Sequence, residues 1–344
     1  MPFRDNVDFC CLALSGTFLE PRGTVELLRD LSVSDSTNHI DLDFWVQWLG
    51  TLQSDSFRSS SFVITAERQG RDAGANHRER ERLERRVRLF HWALVLLGCG
   101  YNTNMLMVGG HTASGHLHLG PISTGITPCH RPHYRRDRRA TAQDLEDAAR
   151  ILVSLEHVYG HVPGPDYRRI RKGFNSWIRG VQSEDPAEGL HSFVRAAEAI
   201  IRPTVTTWRR GIRGRPITAT FLERGQTFTG RSRANQRLLQ QLYDLRSCIE
   251  HVKNVEPAVH KPRNIHRDEA FAFRALQAEI FASSIYTRIF TNDALREQLR
   301  TERSVEGFWR RRENGRKALW GRSIDLRAAT NREFQSRHFD YDVL

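Results

Sequence analysis

Apolar residues recur at helical spacing through most of the second half of the chain. Four stretches fit an amphipathic helix, at 167–181, 186–201, 234–251 and 268–291. The second begins near Asp185 and Pro186, a capping residue followed by a first-turn proline, and Pro203 ends it. Residues 205–230 contain four glycines and many arginines, and they predict no clear element. The second half is therefore expected to be mainly helical.

The first 160 residues carry a mixed pattern. Residues 8–19 and 61–65 have strand character, and 115–119 alternates apolar and polar positions with period two. A helix is predicted for 78–97, where arginine and glutamate alternate on a solvated face, and another for 143–158. The predicted fold class is therefore α+β overall, with a mixed α/β N-terminal domain ahead of a helical bundle.

A proline- and glycine-rich break at 161–165 separates these two halves. We therefore predict a mixed domain of unknown role over 1–162, a helical domain over 163–302 and a basic C-terminal tail over 303–344. The first domain would act as a sensor or regulator.

The charge balance changes the picture of possible partners. The 344 residues include 52 lysines and arginines against 40 acidic residues, a formal net charge of +12. Such a surface attracts polyanions, and nucleic acid is the usual one. Only four of the 52 are lysine, however, and a GC-rich coding bias would produce the same skew towards arginine. Charge alone therefore leaves nucleic-acid binding open.

Other features concern the compartment. No apolar run reaches the roughly 18 residues that a membrane span requires, and the N-terminus lacks the profile of a signal peptide. The five cysteines are odd in number and unpatterned, which favours free thiols in a reducing environment. These features predict a cytoplasmic protein without a membrane segment.

Several common catalytic motifs are absent from the sequence. It has no glycine-rich phosphate loop, no Walker lysine and no Gly-x-Ser-x-Gly elbow. Possible zinc ligands do cluster, but with no standard spacing; they are His111, His116, His118, Cys129, His130 and His133. Ordinary histidines are the default interpretation, and we expect no metal and no cofactor.

One helix end stands out, the segment Leu242-Tyr243-Asp244-Leu245-Arg246-Ser247-Cys248-Ile249-Glu250-His251. Its predicted buried seam is Leu238, Leu242, Leu245 and Ile249. Arg246 lies near this seam, so it needs a partner or a cleft edge, because burying an unpaired charge is costly. The Arg-x4-His spacing alone is weak evidence, because about 48 arginines and 15 histidines produce many chance matches.

The whole run resembles the signature of the HEPN superfamily, in particular its ApeA-like branch. The earlier helix around Glu198 also looks like the family helix that carries an acidic residue in an apolar frame. The resemblance covers about 165–300 and leaves the first 160 residues unexplained. One departure is Val252, since the family usually has glycine directly after the histidine.

The resemblance implies a metal-independent endoribonuclease that works as a homodimer in the cytoplasm. HEPN domains dimerise and cut RNA in a shared cleft, and this agrees with helix geometry. His251 lies about 140° around the helix from Arg246, so two copies at a two-fold axis would build one composite site. The family is rich in toxins and anti-phage defence effectors, which implies regulation by a protein or a phage trigger.

The residues are assigned as follows. Arg246 would contact the phosphate and stabilise the transition state, and His251 would act as general acid and base. Ser247, Glu198 and Tyr243 would support them, and Lys253, Arg209 and Arg210 would bind RNA. The products would be a 2′,3′-cyclic phosphate and a 5′-hydroxyl, with no metal required.

Three alternatives remain open. In the first alternative, the HEPN module is catalytically silent and binds RNA or a partner protein. In the second, the chain is an arginine-rich adaptor that binds nucleic acid through two segments, 308–320 and 131–139 (Arg131, Arg135, Arg136, Arg138 and Arg139 around Tyr134). In the third, the two residues have structural roles only: Arg246 is paired with Glu198 or Asp244 inside a helical bundle, and His251 caps the C-terminus of its helix.

Overall fold

The computed structural model describes residues 6–15, 19–37, 46, 50–69, 77–99, 104–113, 116–119, 139–160, 164–203, 217–253 and 269–334. The described residues fall into two compact units, one up to Glu156 and one from His157 onward. The first contains a sheet with helices, and the described part of the second is helical. The fold class is therefore α+β, as the periodicity predicts.

A six-stranded antiparallel sheet forms the centre of the first unit. Its strands are β1 (Val7–Ser15), β2 (Thr24–Leu28), β3 (Leu31–Ser34), β4 (Phe62–Gln69), β5 (Asn104–Ala113) and β6 (His116–Leu119). They lie in the order β2-β3-β4-β1-β5-β6. β1 is almost entirely buried and lies between two antiparallel neighbours, with Leu12 opposite Ile64 on one side and Met107 on the other.

The described helices of this unit are α1 (Thr51–Arg58), α2 (His77–Leu96) and the greater part of α3 (Ala142–Tyr159). α2 packs against β1 and β4 through an apolar side that includes Val87, Phe90 and Leu94, all fully buried. The predicted apolar face of α3 is also buried; it consists of Leu145, Ala148, Ala149, Leu152 and Leu155.

The described helices of the second unit are α4 (Arg168–Gln182), α5 (Pro186–Ile201), α6 (Ile217–Thr229), α7 (Arg233–Glu250), α8 (Ala270–Thr291), α9 (Asp293–Gln298), α10 (Glu302–Arg310), α11 (Glu313–Trp320) and α12 (Leu326–Glu333). The Asp185 side chain caps α5 by accepting from the backbone N–H of Ala187 at 2.9 Å, and Pro186 occupies its first turn. Most of α8 is buried. Cys10, Cys11, Cys99 and Cys248 are free thiols.

α4 and α5 form a tightly packed helical hairpin. A Cβ atom added at Gly173 would lie 2.8 Å from the Cβ of Ala199, 2.9 Å from the carbonyl oxygen of Ala196 and even closer to the Tyr286 hydroxyl. Two turns further along α4, the Phe193 ring of α5 packs directly against Gly180. Glycine at both positions lets the two helices approach closely. This close packing fixes the position of α4 relative to α5.

The C-terminal helices pack into this unit through aromatic residues. Trp309 on α10 donates to the carbonyl oxygen of Ile200 at 3.0 Å, and Trp320 on α11 lies 4.3 Å from Phe228 between ring centroids. Phe308, Trp309 and Trp320 are all buried. These aromatic rings of the 308–320 segment are therefore core residues and are not available as stacking platforms for bases.

Among the described residues, no helix is both long enough and apolar enough to cross a membrane.

Candidate active site

The C-terminal end of α7 carries the residues on which the resemblance rests. Ser232 begins the helix, where its side chain accepts from the N–H of Asn235 at 3.0 Å. The buried side is Leu239, Leu242, Tyr243, Leu245 and Arg246. The predicted seam was thus partly wrong: Leu238 and Ile249 are only half-buried, and the helix turns Leu239 and Tyr243 inward in their place.

α7 ends at Glu250, and His251 caps it at the start of a tight turn. The N–H of Val252 donates to the carbonyl oxygen of Ile249 at 3.1 Å, and the N–H of Lys253 donates to that of Cys248 at 2.8 Å. This pair of bonds is the Schellman ending, which places the residue after the cap in the left-handed region. Val252 occupies that position with a φ of 52°, and the residue is 94% exposed. A glycine at this position would adopt the same conformation without strain.

Arg246 is buried, with only 3% of the residue exposed. Its guanidinium lies between two acidic side chains. Nη2 is 3.3 Å from Oε2 of Glu198 on α5, and Nη1 forms an ion pair with Glu250 one helical turn further along α7. Tyr243 lies beside it, with the ring centroid 5.9 Å from Cζ of Arg246. Glu198 and Tyr243, two of the three predicted supporting residues, therefore both lie close to Arg246.

The ion pairs continue beyond Arg246 on both sides. Glu198 also accepts from Nη2 of Arg202 at 2.9 Å, and Glu250 accepts from Nη1 of Arg195 at 3.3 Å. Burial raises the pKa of the Glu198 carboxyl, and the charges of Arg202 and Arg246 counteract that rise. The result is an alternating chain of charges that joins α5 to α7; we call it the Arg246 network, and its members are Arg202, Glu198, Arg246, Glu250 and Arg195.

Asp244, the other acidic partner considered for Arg246, makes a different contact. It is exposed and accepts from Nε2 of Gln240 at 2.7 Å. Sequence reasoning missed Glu250, Arg195 and Arg202 as members of the network. The Arg246–Glu250 spacing of four residues is the signal that would have identified one of them, because residues four apart share a helix face.

The other predicted residues at this end differ in exposure. His251 and Lys253 are exposed, and Ser247 is half-buried with its carbonyl oxygen accepting from the N–H of His251 at 3.1 Å. Arg209 and Arg210 lie outside the described residues, as do residues 131–138 of the proposed adaptor patch. Arg139 is described and exposed.

His191 on α5 is a histidine that sequence reasoning did not assign to the site. Burial lowers its pKa below the ordinary value, and the positive charges of Arg246 and Arg195 lower it further. This pattern of charges means that His191 lies near the Arg246 network. A histidine in such surroundings favours its neutral form, which is the form that accepts a proton.

A groove of about 1270 Å³ runs along the α4–α5 hairpin, and we call it the α4–α5 groove. Glu198, Arg195, Arg202 and His191 all line it. The Arg246 network therefore borders this groove. Glu198 and Arg195 line the groove, and they also contact Arg246 and Glu250 of α7, respectively.

The histidine-rich segment considered for zinc lies mainly outside the described side chains. His111 on β5 is the cross-strand partner of His118 on β6. Cys129, His130 and His133 are not described. Within the described part of the chain, no group of three or more histidine, cysteine or acidic residues is arranged to hold a metal ion.

Comparisons of the chain with protein-family models, with curated proteins and with solved structures found no match.

Proposed function

We propose that the chain is a metal-independent endoribonuclease of the HEPN type that acts as a homodimer, with Arg246 and His251 at its catalytic centre. The observation that carries this proposal is the environment of Arg246. It is a buried arginine held by Glu198 on a neighbouring helix, five residues before an exposed histidine and beside a basic groove. A guanidinium fixed in this way is pre-organised to bind a phosphoryl oxygen.

Glu250 explains how a buried and paired arginine would accept a substrate. Its side chain is 31% exposed, and it is shared between Arg246 and the more exposed Arg195. A phosphate that displaces Glu250 from Arg246 would leave the carboxylate on Arg195. Glu198 is 4% exposed and would continue to hold the other side of the guanidinium. Arg246 would thus keep its orientation while one of its donors changes partner.

The reaction follows from these residue types. A neutral histidine removes the proton from the ribose 2′-hydroxyl, and the 2′-oxygen attacks phosphorus. The bond from phosphorus to the 5′-oxygen breaks, and a protonated histidine donates a proton to the leaving oxygen. Arg246 stabilises the negative charge that builds on the phosphoryl oxygens. A two-fold dimer supplies two His251 side chains to one cleft, one for each proton transfer.

A second candidate function is supported by the same ion pairs. With 3% exposure and two acidic partners, Arg246 is also suited to a purely structural role between α5 and α7. The domain would then be a catalytically silent HEPN module that binds RNA or a partner protein. The two functions differ in their dependence on His251, because an exposed residue at a helix end contributes little to stability.

By resemblance to the family, the proposed biological role is that of a toxin or anti-phage defence effector. Residues 1–162 would sense a trigger or hold the nuclease inactive.

The test is cleavage of total cellular RNA in EDTA by the wild type and by His251→Ala. The matched control is His157→Ala, another exposed histidine of the second unit. We expect fragments with the wild type and the control, and intact RNA with His251→Ala. If purified wild type leaves RNA intact, expression in cells replaces the assay, and growth arrest that requires His251 supports the enzyme. Equal activity of all three proteins contradicts the proposed site.

A further inference from the structure

The α4–α5 groove carries more positive than negative charge. Six cationic side chains line it, against three acidic ones; the cations are Arg168, Arg169, Lys172, Arg179, Arg195 and Arg202. The acidic residues are Glu188, Glu198 and Glu302. A concave surface with an excess of one sign attracts ligands of the opposite sign.

Three of the six cations already have partners. Arg195 and Arg202 belong to the Arg246 network. Arg169 forms an ion pair with Glu302 at 3.0 Å and donates to the carbonyl oxygens of Arg202 and Pro203. These three arginines hold the walls of the groove together through their ion pairs.

The other three cations are exposed and have no ion-pair partner among the described residues. Arg168, Lys172 and Arg179 lie at positions four and seven residues apart, which places them on one face of α4. They span about 16 Å along the helix axis at about 1.5 Å per residue. Polar Asn175, Ser176 and Ser183 lie on the same face. We call this row of three the α4 cations.

The opposite wall of the groove leads to the proposed catalytic centre. Arg195 and Glu198 line the groove and contact Glu250 and Arg246 respectively. His191 lies on the same wall. An extended anion bound along the α4 cations would therefore run beside the Arg246 network.

The lining also indicates how such a ligand would be recognised. The described lining contains no phenylalanine, tyrosine or tryptophan, and its one aromatic ring is the imidazole of His191, so stacking of successive bases would contribute little. Contacts would go to phosphates, which carry no sequence information. Attack by a 2′-oxygen also needs a strand that can rotate into line with the leaving group, and a base-paired helix resists that rotation.

We propose that the α4–α5 groove binds the phosphate backbone of single-stranded RNA through Arg168, Lys172 and Arg179 and leads the strand to the Arg246 network. This inference rests on the proposed ribonuclease function for its choice of ligand. The binding is independent of base sequence and depends steeply on salt.

The test is fluorescence anisotropy of the full chain with a short labelled RNA strand whose 2′-hydroxyls are methylated, so that it cannot be cut. The groove variant is Arg168→Gln, Lys172→Gln and Arg179→Gln together. The matched control is Arg233→Gln, Arg237→Gln and Arg327→Gln, which removes the same charge from exposed cations outside the groove lining.

We expect the groove variant to bind at least about tenfold more weakly than the control at low salt. The slope of log K against log salt should become less steep by about 2, because each lost phosphate contact on a single strand accounts for about 0.7. Equal affinity and equal slope of the groove variant and the control would overturn the proposal. So would equal binding of an RNA duplex, or displacement of the strand by polyglutamate as effectively as by polyuridylate.

The result separates this inference from the proposed function. Loss of binding in the groove variant, with no His251-dependent cleavage by the wild type, supports the groove and contradicts the nuclease. Normal binding by the groove variant, with His251-dependent cleavage, contradicts the groove and leaves the nuclease supported.

Discussion

Two groups of cations in the helical unit differ in what holds them. Arg246 is buried and lies between Glu198 and Glu250, whereas the α4 cations are exposed and have no ion-pair partner among the described residues. A buried charge must be paired because water no longer solvates it, while an exposed charge remains free to meet a ligand. The comparison teaches that abundance of arginine does not define a site. Burial and pairing separate a positioned group from a binding surface.

The strongest test of this comparison removes the charge that holds Arg246. Glu198→Gln leaves Arg202 and Arg246 without their shared carboxylate at a site that is almost fully buried. We expect a loss of about 3 kcal/mol in the free energy of unfolding, as for other broken buried ion pairs. Urea denaturation measures it. Glu188→Gln, an exposed groove acid, should stay within about 0.5 kcal/mol of the wild type, and similar losses for both variants would contradict the distinction.

A second variant disturbs the hairpin that carries both groups. Gly173→Ala puts a methyl group against the Ala196 carbonyl oxygen and the Tyr286 hydroxyl, and the backbone atom cannot move aside. Overpacking of this kind costs roughly 2–3 kcal/mol, measurable by thermal or urea denaturation. Gly189→Ala in α5 is the control, because its nearest neighbour would be at 3.5 Å, an ordinary contact. A Gly173→Ala protein as stable as the control would show that the close approach is not required.

The turn after His251 allows a smaller and opposite effect. Val252→Gly relieves a β-branched residue of its left-handed conformation, and an L-residue there costs roughly 1–2 kcal/mol. Part of that gain is lost to the greater freedom of glycine in the unfolded chain, so we expect stabilisation by about 1 kcal/mol. A higher free energy of unfolding in urea denaturation, together with unchanged RNA binding, would support this expectation. Destabilisation would contradict the left-handed conformation of Val252.

The smallest expected effect concerns the pH dependence of stability. The pKa of His191 is lowered in the folded chain, so the unfolded chain binds the proton more readily. Stability should therefore be unaffected by His191 above its ordinary pKa of about 6.5 and should fall as the pH drops below it. His191→Gln should flatten this fall between about pH 7 and pH 5. Parallel pH curves for wild type and variant would contradict the described surroundings of His191.

The long helices could be predicted because their apolar stripes face a core. The predicted 143–158 and 167–181 match α3 and α4 to within about one residue at each end. The strands β2, β3 and β5 were not predicted: β2 has only five residues, and β5 contains Gly109, Gly110 and His111, which break the strand pattern. The short helices α9 to α12 span too few turns for a stripe to be recognised.

The candidate site was predicted less completely than the helices. The resemblance predicted that Glu198 supports Arg246, and Oε2 of Glu198 lies 3.3 Å from Nη2 of Arg246. The partners Glu250, Arg195 and Arg202 depend on how α5 and α7 are rotated about their axes, which one sequence does not specify. The α4 cations were likewise not recognised, since their importance comes from the groove that they line and from having no ion-pair partner among the described residues.

The central claim is that Arg246 and His251 cut RNA without a metal, and end-group analysis tests it most directly. Purified full-length protein is incubated in EDTA with a synthetic single-stranded RNA and with the same strand carrying 2′-deoxyribose. We expect fragments from the RNA only, with 2′,3′-cyclic phosphate and 5′-hydroxyl ends, and none with His251→Ala or Arg246→Ala. Cleavage of the deoxy strand, 5′-phosphate ends, or fragments that persist in His251→Ala would contradict the account.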